Sequence, residues 1–577
     1  MRWSSSDAAR ARQVGWQLIK REPVAYGIAM TYWVAFHALP TAFAFALKAV
    51  LDRIQPDAGN TVWLALAVLG GMELGRWAML LFAVVQWHGQ WVFWHALPQH
   101  NVLRSLVSDP GPVAHRLPGS SGEAVSRFRD DSMHISLMMD VWLDIVGATV
   151  AAAFAVAAMF TVDVRLTLVV SAPMILALWV CRWLGHRLRV WRRREREATA
   201  AVTGFIGDAF GAIGTLKLAG AQGATTRRFA QLGDARAEAA RVDQVATQVL
   251  QTLSAAVGDL GTGFVVLLLL PALTRGSATV GDVGLFTASI ATLAGLPRWV
   301  ARTGATTRQA TVSVDRLTEL FPEPTPERIT ERADLALRPG PGALAPAERD
   351  GTTASAERLK QLEVSGLTVH HAGVEDLDLV IERGTLTVIT GPVGSGKSTV
   401  LRALLGLVGR DRGEISWNGE PIDDPALVMV PPRAAYVAQT PRLFSEPLSD
   451  AILLGAAPDH LDDAVRLVCL DDEVAWMPEG MATVVGARGV RLSGGQVQRT
   501  ATARALVRRP ELLVIDDLSS ALDVETEAHL WRGLVDHAEE GFGAAALLVV
   551  SHRPAVLDRA DQIIDLTPGK GTPSRAG

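Results

Sequence analysis

Six stretches before residue 304 are each long and apolar enough to cross a bilayer as one helix: 24–50, 62–85, 137–161, 165–185, 246–272 and 281–303. Roughly 30 Å of hydrocarbon, at about 1.5 Å of rise per residue, asks for about 20 apolar residues. Lipid offers no hydrogen-bonding partners, so such segments close their backbone bonds internally as helices. The spacing of the runs carries further information. The connections after the first, third and fifth are short. Those after the second and fourth occupy 86–136 and 186–245 and read as charged helices. Arg182, His186, Arg187, Arg189, Arg192, Arg193, Arg194 and Arg196 follow the fourth run. The positive-inside tendency places that end in the cytoplasm, and six crossings then return both termini there.

The N-terminus fits this topology. Arg2, Arg10, Arg12, Lys20 and Arg21 precede the first run, and no small-residue cleavage site follows it, so an uncleaved cytoplasmic start is expected. Residues 6–20 read as an amphipathic helix with Val14, Trp16, Leu18 and Ile19 toward the bilayer surface. Composition supports a membrane half joined to a soluble half. Apolar residues reach 49% beside 20% charged, and the excess is local: all of the 16 Trp except Trp417, Trp476 and Trp531 precede residue 320. The net charge of −5 gives no sign of a nucleic-acid partner. Cys181 and Cys469 are too few and too far apart for a metal set or a disulfide framework.

The apolar pattern stops near 320. Residues 321–360, rich in Pro, Gly, Ala and charge, read as a linker, and 361–577 as an α/β domain. Within it Leu386–Thr390 is a strand that runs into Gly391-Pro-Val-Gly394-Ser395-Gly396-Lys397-Ser398-Thr399. This is the G-x-x-x-x-G-K-[ST] loop in its strand–loop–helix setting. Glycines let backbone N–H groups curl around phosphate, Lys397 supplies charge to the β- and γ-phosphates, and Ser398 can ligate Mg²⁺. Many phosphoryl-transfer proteins share that loop, so it does not by itself choose a reaction.

Further motifs do. Leu492-Ser493-Gly494-Gly495-Gln496, Leu512 to Asp516 with Asp517 behind it, and Ser520-Ala-Leu-Asp523 follow in order, with Gln439 in YVAQTPRLFS and His552 in VVSHR. Together they resemble the ATPase of ABC transporters. The resemblance implies that Asp516 and Gln439 join Ser398 at Mg²⁺, that His552 reaches the γ-phosphate of ATP, and that His371 stands where an aromatic stacks on adenine. It also implies that Ser493, Gly494, Gly495 and Gln496 cap ATP held by a partner cassette, with Asp523 beside that interface. ATP then joins two cassettes head to tail.

Two positions depart from the family pattern. Its catalytic Glu is here Asp517, shorter by one methylene, so the carboxylate retreats by roughly 1 Å, enough to cost on the order of 100-fold in rate. Slow hydrolysis is therefore expected at this chain's own loop, and a heterodimer whose partner supplies Glu. A homodimer with a working Asp517 stays open. Ala487 replaces a usual acidic residue.

The first 320 residues resemble a type IV (exporter-fold) half-transporter. Gly122 to Asp131 and Gly204 to Lys217, within 112–131 and 204–220, match its cytoplasmic coupling regions, and Thr279-Val-Gly-Asp282 its approach to the sixth helix. The fold expected is thus an all-α six-helix transmembrane domain over 1–320 followed by an α/β P-loop ATPase domain. The activity expected is ATP-driven transport of an unidentified substrate across the cell membrane. Import on the same fold, as of a siderophore, or an ATP-binding regulatory subunit are the alternatives. Membrane lipids and a second half-transporter are the expected partners. Ionisable residues within the runs are candidates for substrate contact: Glu73 with Arg76, Asp259, and Asp140 with Asp144 near an interface. Pairing within the protein competes with that role for Glu73 and Arg76. Trp87, Trp91 and Trp94, at helical spacing, read as packing or interfacial anchors.

Overall fold

A computed structural model of the chain describes residues 7–53, 60–109, 111, 121–276, 278–333, 335, 358–486, 489–518, 524–536, 546–567, 574 and 575. Within its helices the side chains at 7–8, 60–61, 121–122, 166, 170–189, 250–251, 253–255 and 257–261 lie outside that description. Expectations for Cys181, Asp259, Ala487, Asp523, residues 112–120 and most of the linker therefore fall outside the described residues.

The chain divides into two compact units. The first comprises 1–102, 125–318 and 324–337, and the second 103–124, 319–323 and 338–577. The helical part runs α1 (Asp7–Arg21), α2 (Pro23–Leu51), α3 (Asn60–Ser108), α4 (Ser121–Ser126), a π-helical turn (Arg127–Asp131), α5 (Ser132–Phe160), α6 (Val164–Gly211), α7 (Ile213–Leu218), α8 (Gln222–Thr274), α9 (Val280–Thr318) and α10 (Pro326–Ile329). Among the described residues each apolar run of the sequence lies on one of the long helices α2, α3, α5, α6, α8 and α9, the third run ending one residue past α5. Among the described residues, 23–51, 62–108, 123–160 and 280–318 are long and apolar enough to cross a membrane, and Thr262–Thr274 is a shorter apolar helix.

Small residues set the closest approaches. A Cβ at Gly284 would come within 2.6 Å of Leu51, so α9 and α2 meet there at backbone distance. The Thr279–Asp282 motif explains itself at this junction. Thr279 N–H donates to Asp282 Oδ2 at 2.8 Å, and Asp282 N–H returns a bond to Thr279 Oγ1 at 3.1 Å. Lys48 of α2 pairs with Asp282 and with Asp52, the latter at 3.2 Å. Gly281 N–H donates to Asp52 Oδ1 at 2.9 Å, and a Cβ there would strike Asp52 and the Lys48 carbonyl. The motif is a helix cap and an ion-pair clamp together.

The first helix departs from expectation. Val14 and Leu18 are fully buried rather than turned to a bilayer surface, while Trp16 points outward. Gly15 admits the Trp142 ring of α5, which sets α1 against the bundle. The polar side of α1 then clasps the segment behind α9. Gln13 bonds to Glu327, Thr330 Oγ1 donates to Gln17 Oε1 at 2.7 Å, and Arg21 Nε donates to Thr330 O at 2.8 Å. From α3, Asn101 Nδ2 donates to Ile329 O at 3.0 Å and Glu331 O at 2.8 Å.

The second unit is α/β. Its strands are β1 (Gln361–Val369), β2 (Val374–Glu382), β3 (Leu386–Thr390), β4 (Arg412–Trp417), β5 (Glu420–Pro421), β6 (Ala434–Val437), β7 (Leu512–Asp516), β8 (Ala546–Val550), β9 (Gln562–Asp565) and β10 (Ser574–Arg575). Helix α11 is Lys397–Leu404, and the short α12 (Pro425–Val428), α13 (Leu448–Leu453), α14 (Leu461–Leu467) and α15 (Asp471–Trp476) follow. The longer α16 (Gly494–Leu506) and α17 (Val524–Asp536) and a final turn α18 (Pro554–Leu557) complete it. An antiparallel sheet has the order β2-β1-β4-β5 and a six-stranded sheet the order β10-β9-β3-β8-β7-β6. In the larger one β6, β7, β8, β3 and β9 are parallel. Strands β7 and β8 are buried at every position, the continuous apolar reading of a parallel sheet covered on both faces. Their carboxyl ends bring together Thr390, Asp516 and Val550, the edge on which such sheets place ligands.

Candidate nucleotide-binding site

The loop leaving β3 is built on backbone angles that suit glycine. Gly391, Gly394 and Gly396 have φ of 138°, 85° and 87°. A Cβ at Gly396 would lie 2.5 Å from Val374 and 2.9 Å from the Ala372 carbonyl, so the loop rests on the turn carrying the exposed His371. Thr399 lies one turn into α11, with Lys397 and Ser398 at its start. Lys397 Nζ folds back to donate to Gly391 O at 2.8 Å and Pro392 O at 2.7 Å. Burial holds its ammonium below the usual lysine pKa. The Ser395 hydroxyl is buried without a hydrogen-bond partner. A charge bonded only to its own loop and an orphaned hydroxyl are what a phosphate-binding loop leaves for a ligand's oxygens to satisfy.

The metal donors converge from three elements. Ser398 Oγ donates to Asp516 Oδ1 at 2.8 Å, and Tyr436 Oη of β6 donates to Asp516 Oδ2 at 3.2 Å. Asp516 is 1% exposed at the end of β7. Burial raises the Tyr436 phenol pKa, and the hydrogen bond that Arg402 of α11 donates to the Tyr436 oxygen raises the guanidinium's. A hydroxyl beside a carboxylate is an oxygen donor set of the kind a hard divalent cation takes.

Asp517 follows in the left-handed region at φ 56°. Its N–H donates to Val550 O at 3.1 Å, which ties it to β8. Gln439 Nε2 donates to Asp517 Oδ2 at 3.4 Å, and Gln498 Nε2 reaches Gln439 O at 3.2 Å and Asp517 O at 3.4 Å. The Nδ1 of His552 lies 3.4 Å from Thr390 Oγ1, beside the root of the loop. The structure thus brings Gln439, Ser398, Asp516, Asp517 and His552 to one edge of the sheet.

Ser493–Gln496 are arranged differently. Ser493 caps α16: Gln496 N–H donates to Ser493 Oγ at 3.2 Å, and Ser493 N–H donates to Gln496 Oε1 at 2.9 Å. Such a capping box contributes about 1 kcal/mol or more to a helix. Ser493 and Gly494 are exposed, and Gly495 is buried. The N-terminal end of α16, where orphan N–H groups and the helix dipole favour anions, faces solvent.

Sequence reasoning missed Tyr436 and Gln498. Each sits near a recognised motif, Tyr436 three residues before Gln439 and Gln498 two after Gln496, but only the pairing of β6 with β7 brings Tyr436 to Asp516. It also missed contacts in the helical unit. Asp140 and Asp144, read as interfacial, are buried on α5 at 9% and 6% exposure. Trp33 Nε1 of α2 donates to Asp144 Oδ1 at 2.7 Å, and His37 Nε2 stands 3.3 Å from the same oxygen. Arg76 and Glu73 pair at 3.2 Å, with the guanidinium over Phe36. In the tryptophan stripe Trp94 is fully buried against Tyr26, Trp91 stacks on His95 and Trp87 on Trp33, so the stripe packs inward.

Comparison with known proteins places two stretches. The pattern described as ABC transporter matches 374–520, and that of the ABC transporter transmembrane region matches 113–296. The ATP-dependent lipid A-core flippase of Chromohalobacter salexigens is 27% identical across 95% of this chain and 91% of its own length. The flippase of the same description from Thiobacillus denitrificans is 28% identical across 70% of this chain and 67% of its own. Among solved structures, a bacterial Atm1-family ABC exporter with ATP bound aligns at a TM-score of 0.71 and 21% identity, covering 95% of this chain and 93% of that one.

Proposed function

The chain belongs to the ABC transporters, its transmembrane and ATP-binding regions fused in one polypeptide, and from that premise we propose a half-transporter whose own ATP site is the weaker of two. Its activity is ATP hydrolysis coupled to exporter-type transport. The observation that carries the asymmetry is Asp517: a short carboxylate, tied to β8 through its N–H and reached by Gln439 only at 3.4 Å.

In this reading the Gly391–Thr399 loop wraps the phosphates of ATP, Lys397 leaves its own carbonyls to meet them, and His371 stacks on the base. Ser398, Asp516 and Gln439 hold Mg²⁺, which when bound neutralises charge between the β- and γ-phosphates. Asp517 orients the attacking water and His552 steadies the terminal phosphate. Ser493–Gln496 and Asp523 serve the nucleotide of the partner subunit, which suits the solvent-facing start of α16. Two chains with ATP between them close, and hydrolysis lets them part. Six crossings place the termini and the ATPase in the cytoplasm of a cell-membrane protein, with boundaries near 320 and 361 and coupling regions at 112–131 and 204–220. The flippase relatives, moving lipid A-core, favour export of an amphipathic molecule.

The test is turnover of the purified chain, alone and with any partner that copurifies. Asp517→Glu is expected to raise hydrolysis on the order of tenfold to 100-fold. Robust hydrolysis by the unmodified chain alone, abolished in Lys397→Ala, would overturn both the weak site and the obligate partner.

A further inference from the structure

The membrane-spanning unit buries two carboxylates close together on one helix. Asp140 and Asp144 stand one turn apart on α5, both buried, where their fields reinforce each other. The only ion pair to Asp140 among the described residues is Arg302 of α9 at 3.9 Å, too long for a hydrogen bond. Arg302 is itself 45% exposed and also hangs over the Trp299 ring, 5.4 Å from its centroid, a ring it shares with Arg298 at the same distance. It therefore touches a carboxylate and an aromatic face without settling on either. Among the described residues Asp144 is bonded through Oδ1, to Trp33 and His37.

Aromatic walls surround these carboxylates. Trp33 and Trp87 stack at 6.0 Å with 19° between planes, and Trp299 meets His37 edge-on. The indole nitrogen of Trp87 lies beside Asp140 but is buried without a well-formed hydrogen bond. The packing that holds the group is tight, since a Cβ at Gly147, one turn beyond Asp144, would lie 2.6 Å from the His37 ring. Carboxylates at membrane depth are costly and need a partner, and cations prefer aromatic faces backed by negative charge.

We infer that Asp140 and Asp144 with Trp33, Trp87 and Trp299 form a binding site for an amphipathic organic cation, and that Arg302 is the internal cation it displaces. The word substrate rests on the transporter reading; the binding does not. The flat, delocalised guanidinium over Trp299 marks where the flat charged part of such a molecule sits, and the apolar helix faces receive its remainder.

The experiment measures binding to the purified full-length chain in lipid nanodiscs without nucleotide. The probe is rhodamine 6G, a planar cation, read by fluorescence anisotropy, with anionic sulforhodamine B as its matched opposite. Asp140→Asn and Asp144→Asn should each weaken rhodamine 6G about tenfold, as expected for losing a charge-assisted contact. Arg302→Gln should tighten it several-fold by removing the resident competitor, a gain that damaged folding cannot imitate. Unchanged binding in both Asn variants, weaker binding in Arg302→Gln, or preference for sulforhodamine B would overturn the site. Nucleotide-free binding tests the site alone, and its loss overturns the site whatever the ATPase does. ATP-driven movement of rhodamine 6G, read separately in the unmodified chain reconstituted with any partner that copurifies, tests the transporter reading, and its absence beside intact binding overturns that reading and leaves the site standing.

Discussion

The loop proposed to hold ATP and the signature proposed to cap a partner's ATP are both present, yet only one departs from the family pattern. Around the signature every part agrees: Ser493 and Gln496 bond reciprocally and the helix start faces solvent. Around the loop the glycines, Lys397, Ser398 and Asp516 are in place, and the departure is confined to the last carboxylate, Asp517. Binding needs the first set; hydrolysis needs the last. The difference teaches that the two capacities can separate within a single site, because a chain can keep the cradle while shortening the one group that orients water.

Four substitutions break or sharpen this contrast. Lys397→Ala should have the largest effect, weakening the affinity of this chain for a fluorescent ATP analogue by about 100-fold, since a charge-assisted contact to phosphate is removed. Equilibrium titration of the chain alone reads it, and unchanged affinity would take Lys397 away from the phosphates. Asp517→Glu should move the other way, with the tenfold to 100-fold gain given above read in the chain purified alone, because the faster site of a partner would mask most of it. Ser493→Ala should slow the complex about tenfold, the scale of one hydrogen bond lost to a charged group, while the chain alone keeps its affinity for a fluorescent ATP analogue. Loss of that affinity would place the signature at its own loop instead. Tyr436→Phe should be the mildest, raising the Mg²⁺ concentration for half-maximal activity about fivefold, because a bond to a carboxylate of this kind is worth about 1 kcal/mol. An unshifted Mg²⁺ requirement would reduce Tyr436 to packing.

Much of the chain was legible because its signals are local. The strand–loop–helix at 386–404 announces itself by residue order, and the apolar runs announce long helices by their length. Contacts across elements were not legible. Nothing within α5 tells that Asp144 meets Trp33 and His37 from α2, and hydropathy placed it near an interface because a carboxylate opening an apolar run usually sits there. For α1 the amphipathic pattern gave an apolar face without naming what covers it: Val14 and Leu18 would suit a bilayer surface as well as the bundle. Gly15 was the usable sign, since a glycine mid-helix costs stability unless something needs the space, here the Trp142 ring. Most of the linker and Asp523 lie outside the described residues, so their assignment rests on sequence.

The clasp between α1 and the segment after α9 has a mechanical corollary. Gln13, Gln17 and Arg21 grip Glu327 and Thr330, while Asn101 holds the neighbouring carbonyls at 329 and 331. A pull on residues 327–331 is thus not borne by the helix before them alone. It is shared at once with α1 and with α3, so the first described helix is a guy-rope for the segment behind α9. A deletion of residues 7–21 would leave that segment anchored by Asn101 alone among these bonds.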